Sequence, residues 1–205
     1  MSDTPVTPTL ARYVAVTAPG GLALVQGLLN TRATGSGAVD LLGDQATAQR
    51  WLTAGLTEWA ALTGSALTGS PLAGPTPGQI TLSDKDVAAL RSLRERVRRF
   101  VAGARAGTHL EVSIAVVAEP DGMLRTQPTG TGIRWVESAV WGAVLMAQTL
   151  DTLRRLKLCR NEGCGSAFYD RSKNNSGVWH DVHTCGNMAN LRASRARRSR
   201  GGSST

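Results

Sequence analysis

Residues able to bind a metal are concentrated in one short segment near the end of the chain. All three cysteines and two of the three histidines lie between Cys159 and Cys185. Four residues separate Cys159 from Cys164, four separate His180 from Cys185, and fifteen lie between these two pairs. Zinc in proteins is held by four Cys or His ligands in a tetrahedron, commonly as two close pairs joined by a longer loop. The spacing therefore predicts a Zn2+ site formed by Cys159, Cys164, His180 and Cys185.

The fourth ligand has an alternative in His183, which also precedes Cys185. Only one residue separates His183 from Cys185, which is a tight separation for two ligands of one metal. His180 instead repeats the spacing of the first pair, so the spacing favours His180 and leaves His183 open. Because four protein ligands fill the tetrahedron, the predicted site is structural rather than hydrolytic.

The competing interpretation is that these are ordinary buried or free thiols. An odd number of cysteines excludes a fully paired disulfide framework within one chain. Residues 1–16 lack the features of a secretory signal, and we expect a reducing cytoplasm, where clustered cysteines bind metal more often than they form disulfides. Segment 159–190 also carries few large apolar residues, and so small a module needs a staple such as a metal. These apolar residues are Phe168, Tyr169, Val178, Trp179 and Val182.

The positive charge is confined to the same end of the chain. Residues 1–151 contain 12 basic and 12 acidic residues, whereas residues 152–205 contain 11 basic and 3 acidic residues. Such asymmetry indicates a polyanionic partner, nucleic acid or an anionic membrane face, although a solvated basic tail would show it too. No stretch reaches the roughly 18 apolar residues that a membrane span needs, so we expect no membrane insertion.

The basic residues fall where a helix is predicted, from Met188 to Arg200. On a helix, residues three or four apart share a face, so Arg192, Arg195 and Arg198 project together with Arg197 to one side. A metal knuckle that presents a basic helix to a groove is a common arrangement for reading DNA. The loop between the ligand pairs adds Arg171 and Lys173 as further candidates for phosphate contacts. Each of these residues alone is equally well explained as a solubilising surface charge.

The rest of the chain predicts an α+β fold: a mixed helical N-terminal domain with a β-hairpin, followed by the small zinc-knuckle module with its basic helix. We place the domains at residues 1–150 and 156–200, joined by a long helix at about 136–157. Ser83 is a good N-cap for a helix with apolar residues at helical spacing, and residues 110–127 read as a hairpin with "EPDG" at its turn. Other predicted elements are a strand at 12–16, helices at 22–31 and from Asp44, and a surface loop at 64–79.

Enzyme motifs are lacking in this sequence. It contains no Gly-rich phosphate loop followed by Lys and Ser or Thr, no G-x-S-x-G and no dinucleotide fingerprint. The expectation is therefore a protein that is not an enzyme.

The metal-binding end resembles a known family. "WHDVHTCGNM" (179–188) is similar to the signature of the CGNR zinc-finger proteins, bacterial proteins regarded as stress-related transcription regulators. Their pattern is a C-x4-C pair, a Phe-x-Asp stretch, an Arg-Arg-Trp-Cys segment, four residues and CGNR. This chain matches it with Cys159 and Cys164, with "FYDRS" (168–172), with Trp179 and with Cys185-Gly186-Asn187. "LLNTR" (28–32) resembles the Asn-Thr-Arg motif of the N-terminal domain that usually accompanies this finger.

Departures from the family pattern fall around the knuckle. His180 stands where the family has a cysteine, which keeps a zinc ligand and supports His180 over His183. Met188 replaces the Arg of CGNR, and Gly177 and Val178 replace the Arg pair before Trp179. If those arginines contact phosphate in the family, nucleic-acid binding by this protein is weaker or redirected.

Together these features predict a transcription regulator that binds DNA through a Cys3His zinc finger and a basic helix. Its N-terminal domain would sense a signal, such as an unidentified small-molecule effector, or form a homodimer. The alternative is a zinc-stapled module that binds RNA or a protein and does not bind duplex DNA.

Overall fold

A computed structural model describes residues 9–14, 16–34, 38–63, 79–103, 110–118 and 122–201. Within these ranges the fold is α+β, as predicted, with five α-helices and two antiparallel hairpins. The helices are α1 (Leu22–Leu29), α2 (Gln45–Thr63), α3 (Asp84–Val101), α4 (Ile133–Thr149) and α5 (Asn187–Gly201). The strands are β1 (Ile114–Ala118) paired with β2 (Leu124–Pro128), and β3 (Leu156–Leu158) paired with β4 (Ala167–Tyr169). We call α1–α4 with β1–β2 the helical region, and residues 156–201 the knuckle region.

Helix α1 lies at the centre of the helical region. Each of its residues is buried, because "LALVQGLL" is apolar on nearly every face and α2, α3 and α4 all pack against it. A helix that is apolar all round must be enclosed to be stable in water. The predicted helix at 22–31 is confirmed over Leu22–Leu29, and the other helices of the core pack against it.

Helix α3 shows the opposite pattern. Val87, Leu90, Leu93 and Val97 face the core while charged residues cover the other faces. Ser83 accepts a hydrogen bond from the backbone of Asp86, and Asp86 accepts one from the backbone of Ser83, which completes a capping box. The predicted N-cap is confirmed.

Helix α2 continues without a break through Gly55. The predicted start near Asp44 is confirmed, since its carboxylate accepts a hydrogen bond from the backbone N–H of Thr47 at 2.8 Å. A Cβ at position 55 would lie 3.3 Å from the side chain of Leu10, so the glycine allows the N-terminal segment to pack closely on this helix.

The predicted strand at 12–16 is wrong for the described residues of that segment. A short 3-10 helix at Thr9–Ala11 is followed by a turn in which Tyr13 has a φ of 67°. The Arg12 guanidinium donates hydrogen bonds to the carbonyls of Asn30 and Thr31 at the end of α1. These carbonyls are left free by the helix, so capping them holds the segment in a turn instead of a strand.

The predicted linking helix also differs from the structure. α4 ends at Thr149, and Asp151 adopts a φ of 56°, so the chain turns away from the helix axis. A 3-10 turn at Leu153–Arg155 then leads directly into β3. The basic residues after position 153 therefore lie in a turn and a strand, not in the last turn of a helical stalk. Near its end, α4 leaves Leu145 and Met146 exposed.

Three sequence predictions fall on residues outside the described ranges, wholly or in part. They are the loop at 64–79 and the turn at "EPDG", and the third is the strand at 12–16, of which residue 15 lies outside the described ranges. Among the described helices, none combines the length and the apolar character needed to cross a membrane.

Candidate metal centre

The first pair of candidate ligands is held by the β3–β4 hairpin. Leu158 pairs with Ala167, and Cys159 follows β3 directly. The backbone N–H of Cys159 donates to the carbonyl of Ser166 at 2.8 Å, so the hairpin ladder extends to the cysteine itself. Cys164 lies in the connecting turn, where its N–H donates to the carbonyl of Asn161 at 3.0 Å. This geometry brings two residues five positions apart to one side of a tight turn.

The second pair is held by a capped helical turn. Asp181 precedes a single π-type turn, Val182–Gly186, and its carboxylate accepts hydrogen bonds from the backbone N–H groups of His183 and Thr184. The N–H of Cys185 donates to the Asp181 carbonyl at 3.0 Å. π-type turns are rare and occur frequently at functional sites. Here the turn places Cys185 beside His180 and then continues into α5.

The four predicted ligand atoms converge. The Sγ atoms of Cys159, Cys164 and Cys185 and a ring nitrogen of His180 all lie within 4.8 Å of one another. Nδ1 of His180 lies 3.4 Å from the Sγ of Cys164 and 3.4 Å from the Sγ of Cys185. A tetrahedral zinc with ordinary bond lengths separates an S and an N ligand by about 3.5 Å. The donor set and its spacing therefore fit Zn2+.

His183 is placed apart from this cluster. Its side chain is exposed, whereas His180 is half-buried among the thiols. The two histidines differ in exposure because they lie on either side of Asp181, which caps the turn. His180 precedes Asp181, and His183 follows it on the outside of the turn. Among the described residues, Cys159, Cys164, His180 and Cys185 lie close enough together to hold a metal ion.

The protonation of these groups follows from their surroundings. Burial raises the pKa of the Cys159 thiol to about 12, so without a cation this thiol stays protonated. Burial has the same tendency at Cys164, but hydrogen bonds from Ser166 and the other thiols outweigh it and hold its pKa below the usual value. Burial also lowers the pKa of His180, which favours the neutral imidazole that metals bind. Binding of a cation would release the proton from each thiol that becomes its ligand.

A contact around the ligands was not predicted from the sequence. Asn161 is buried; its side-chain amide donates to the Sγ of Cys185 at 3.1 Å, and its Oδ1 accepts from Arg192 at 3.0 Å. Hydrogen bonds to a ligating sulfur orient it and tune its donor strength. Asn161 lies two residues after Cys159, a position that no ligand-spacing rule marks, so only the folded turn reveals it.

The loop between the ligand pairs is braced by one ion pair. The Lys157 ammonium donates to the carboxylate of Asp170 at 2.7 Å and to two carbonyls of the loop. Asp170 also accepts from the backbone N–H groups of Ser172 and Gly177, and these partners overcome the effect of burial and hold its pKa well below the usual range. A Cβ at position 177 would lie 2.8 Å from the Asp170 carboxylate. The glycine at a position where the resemblance leads us to expect arginine thus has a steric reason here.

The candidate nucleic-acid contacts divide into two groups. Arg195, Arg197 and Arg198 are exposed on α5, as is Lys173 on the loop. Arg192 is exposed too, but its guanidinium turns back onto Asn161 and onto the carbonyl of Glu162. Arg171 donates to the carbonyl of Thr17 in the helical region at 3.3 Å. Arg198 donates to the Ser194 hydroxyl on the same helix at 3.3 Å, whereas Arg192 and Arg171 bond to more distant parts of the protein.

Comparison with protein families matches both parts of the chain. The model of the CGNR zinc finger matches residues 155–198. The ABATE model, described as "putative stress-induced transcription regulator", matches residues 22–156, more than half of the chain. Neither description is that of an enzyme. No curated protein matches this sequence.

Proposed function

The chain belongs to the ABATE family, and we propose that it regulates transcription by binding duplex DNA through a Cys3His zinc finger and the basic helix α5. The observation that carries this proposal is the direct continuity between the ligand cluster and the helix. Cys185 lies two residues before Asn187, the first residue of α5, so a metal held by Cys185 would fix the base of the helix.

Zinc is the metal that the four donors suit best. Thiolates together with imidazole select zinc over the hard cations, and a complete set of four protein ligands is typical of structural sites. When bound, zinc would supply four strong bonds to a region whose buried apolar cluster consists of Phe168 and two of the ligating cysteines. Cys159, Cys164, His180 and Cys185 would hold the metal, and Asn161 would orient the Cys185 sulfur.

The charge of α5 supports a polyanionic partner. Residues 187–201 include five arginines and no acidic residue. Neutralising phosphates releases counterions, so affinity through such residues falls steeply with salt. Arg195, Arg197 and Arg198 are the proposed phosphate contacts on the helix, and Lys173 and Arg171 would add to them from the loop. Met188, exposed in the first turn of α5, offers no such contact, and we propose weaker binding than in a finger with arginine there.

The helical region would supply regulation. Its proposed role is to sense a signal, such as a small-molecule effector, or to form a homodimer that sets the spacing of two fingers. The proposed domain boundaries place the regulatory domain at residues 1–150 and the zinc finger at residues 156–200. The family description supports a regulator, and the effector remains to be identified by binding experiments.

A second candidate is a module that binds a protein. Three apolar side chains, those of Val182, Met188 and Leu191, are 65, 46 and 55% exposed around the start of α5. Exposed apolar residues close together favour contact with an apolar surface. On this alternative the metal serves only to hold the apolar residues in place, and duplex DNA does not bind.

RNA is a third candidate partner because its phosphates would meet the same arginines.

The deciding experiment measures metal content and then nucleic-acid binding by the same preparation. We expect one zinc per chain and binding of mixed-sequence duplex DNA that weakens between two salt concentrations and is lost in Cys185→Ser. The double variant Arg195→Ala/Arg197→Ala should reduce the slope of log affinity against log salt by about 2. Arg99→Ala, an exposed arginine on α3, is the matched control and should leave the slope unchanged.

Other outcomes would redirect the proposal. One zinc per chain without duplex binding would contradict the DNA function, and preferential binding of single-stranded RNA would indicate the RNA alternative. A chain that binds no metal would contradict the zinc finger itself.

A further inference from the structure

The two ligand pairs of the metal centre are held by different parts of the molecule. Strand β4, which follows Cys164, lies against α1. The side-chain amide of Asn30, just after α1, pairs with the backbone of Ala167 in both directions. The Ala167 N–H donates to Oδ1 at 2.8 Å, and Nδ2 donates to the Ala167 carbonyl at 3.0 Å. An amide side chain thus takes the place of a neighbouring strand.

This contact is enclosed on all sides. Asn30, Gln26 and Ala167 are each 0% exposed. Gln26 adds a hydrogen bond from its amide nitrogen to the Ala167 carbonyl at 3.3 Å and accepts one from the N–H of Ala18. Each polar group of this enclosed network has a partner, so the network favours the arrangement in which β4 lies against α1. Leu156 and Ala167 also belong to the apolar core of the helical region.

A second tie reaches the turn that carries Cys164. The Arg98 guanidinium on α3 donates to the carbonyl of Gly165 at 2.9 Å. Gly165 has a φ of 66°, and a Cβ there would collide with the Arg98 guanidinium. The next residue, Ser166, accepts a hydrogen bond from the N–H of Cys159. Residues 165–167 are therefore fixed by α1 and α3 on one side and hold both ligands of the first pair on the other.

The hydrogen bonds that fix the second pair lie inside the knuckle region, and Val14, which precedes α1, also packs against the cluster that contains Cys185. The Asp181 carboxylate caps the turn that carries Cys185, and the Asn161 amide contacts the Cys185 sulfur. Trp179 packs against the cluster of Cys159, Phe168 and Cys185. The Asp181 cap is local to its turn, whereas the contacts of Asn161 and Trp179 form only when Cys185 lies close to the first pair.

We propose that the helical region preorganises half of the metal centre. Asn30, Gln26 and Arg98 are positioning residues that hold Cys159 and Cys164 in place before metal binds, and the metal then orders His180, Cys185 and the start of α5. This inference rests on the proposed zinc site. It connects the state of the helical region to metal affinity and, through Cys185, to the basic helix.

The test is backbone amide exchange, resolved by NMR, in the metal-free full-length protein. We expect the amides of Cys159 and Ala167 to exchange at least about tenfold more slowly than that of Cys185. Residues 165–167 tie the first two to α1 and α3, whereas the Cys185 N–H bonds within its own turn, to the Asp181 carbonyl. Arg98→Ala and Asn30→Asp should speed amide exchange at Cys159 and Ala167. Each should also weaken zinc affinity about tenfold, since a tenfold change corresponds to the loss of roughly one buried hydrogen bond. Amides of α3 should keep their protection, which separates a local effect from global unfolding.

Two matched variants complete the design. Arg98→Lys keeps a cationic donor near Gly165 and should retain most of the protection, whereas Arg99→Ala removes the adjacent exposed arginine and should change nothing. Equal exchange at Cys159, Ala167 and Cys185 in the metal-free wild type would overturn the inference. So would unchanged exchange in Arg98→Ala, a variant at a half-buried position that we expect to fold. If the protein bound no zinc, the proposed function would fail, but the exchange rates would still decide whether α1 and α3 hold the first pair.

Discussion

The helical region and the knuckle region obtain their stability from different sources. The helical region encloses a large apolar core in which Leu24, Leu90 and Trp135 are fully buried. The buried cluster of the knuckle region contains only Phe168 beside Cys159 and Cys185. Burial of apolar area stabilises a region in proportion to that area, so in the knuckle region it serves mainly the β3–β4 hairpin, whose Leu156 and Ala167 join the helical core. For the rest of the knuckle region, the four ligand atoms, the partly buried ion pair of Lys157 and Asp170 and a capped turn must supply what the core does not.

Removal of the metal should have the largest effect and should separate the two regions. Structural zinc contributes on the order of 10 kcal/mol of apparent stability to small fingers. We expect a strong chelator to abolish amide protection in residues 180–190, while α1, α3 and α4 keep theirs. Hydrogen exchange followed by mass spectrometry with and without chelator would measure this. Equal loss of protection in α3 would contradict the independence of the helical core.

The reverse experiment weakens the core without touching the ligands. Leu90→Ala removes a fully buried side chain from α3 and should lower the free energy of unfolding by about 3 kcal/mol. Denaturant unfolding of the metal-loaded protein measures the change, and the zinc content should stay the same. Leu191→Ala on α5 is the matched control, because a leucine that is 55% exposed contributes about 0.5 kcal/mol or less.

The ion pair of Lys157 and Asp170 tests the part of the knuckle region that does not touch the metal. Asp170→Asn removes the charge and part of the accepting capacity of a buried side chain, so we expect a loss of about 2 kcal/mol at neutral pH. Because the pKa of Asp170 is depressed in the folded state, its stabilisation is fully present above the unfolded pKa of about 4 and is lost as the pH falls below it.

The difference in unfolding free energy between wild type and Asp170→Asn should therefore be constant from about pH 6 to 8 and shrink below about pH 4. Denaturant titrations at several pH values would show this. A difference that did not shrink below about pH 4 would mean that the pKa of Asp170 is not depressed in the folded state.

The smallest effect is expected at His183. His183→Ala should leave zinc content and zinc affinity unchanged, because the side chain is exposed and lies outside the cluster of ligand atoms. His180→Ala is the comparison and should weaken zinc affinity strongly, since a tetrahedral site would lose one of its four ligands. Competition with a chromophoric chelator measures both affinities. A reduced zinc affinity in His183→Ala would mean that the assignment of His180 as the fourth ligand is wrong.

The sequence predicted most of what depends on local patterns. Helices α1, α2 and α3 follow from apolar spacing and from caps at Asp44 and Ser83, and these signals lie within a few residues of one another. The convergence of Cys159, Cys164, His180 and Cys185 followed from their spacing and from the resemblance. Two predictions were wrong for the same reason: the strand at 12–16 and the extension of the linking helix to residue 157. Each was decided by a distant partner, the end of α1 in one case and β4 in the other.

The sequence by itself determined the composition of the metal centre and the location of the charge. Thiols and an imidazole at these spacings are a donor set for zinc, and the excess of arginine near the C-terminal end does not depend on folding. Only the tertiary structure decided which residues support that centre. Asn30 and Ala167 are 137 residues apart along the chain, and Arg98 and Gly165 are 67 apart. No local pattern records such pairs, because their hydrogen bonds form only when packing of the core brings α1 against β4 and α3 against β3.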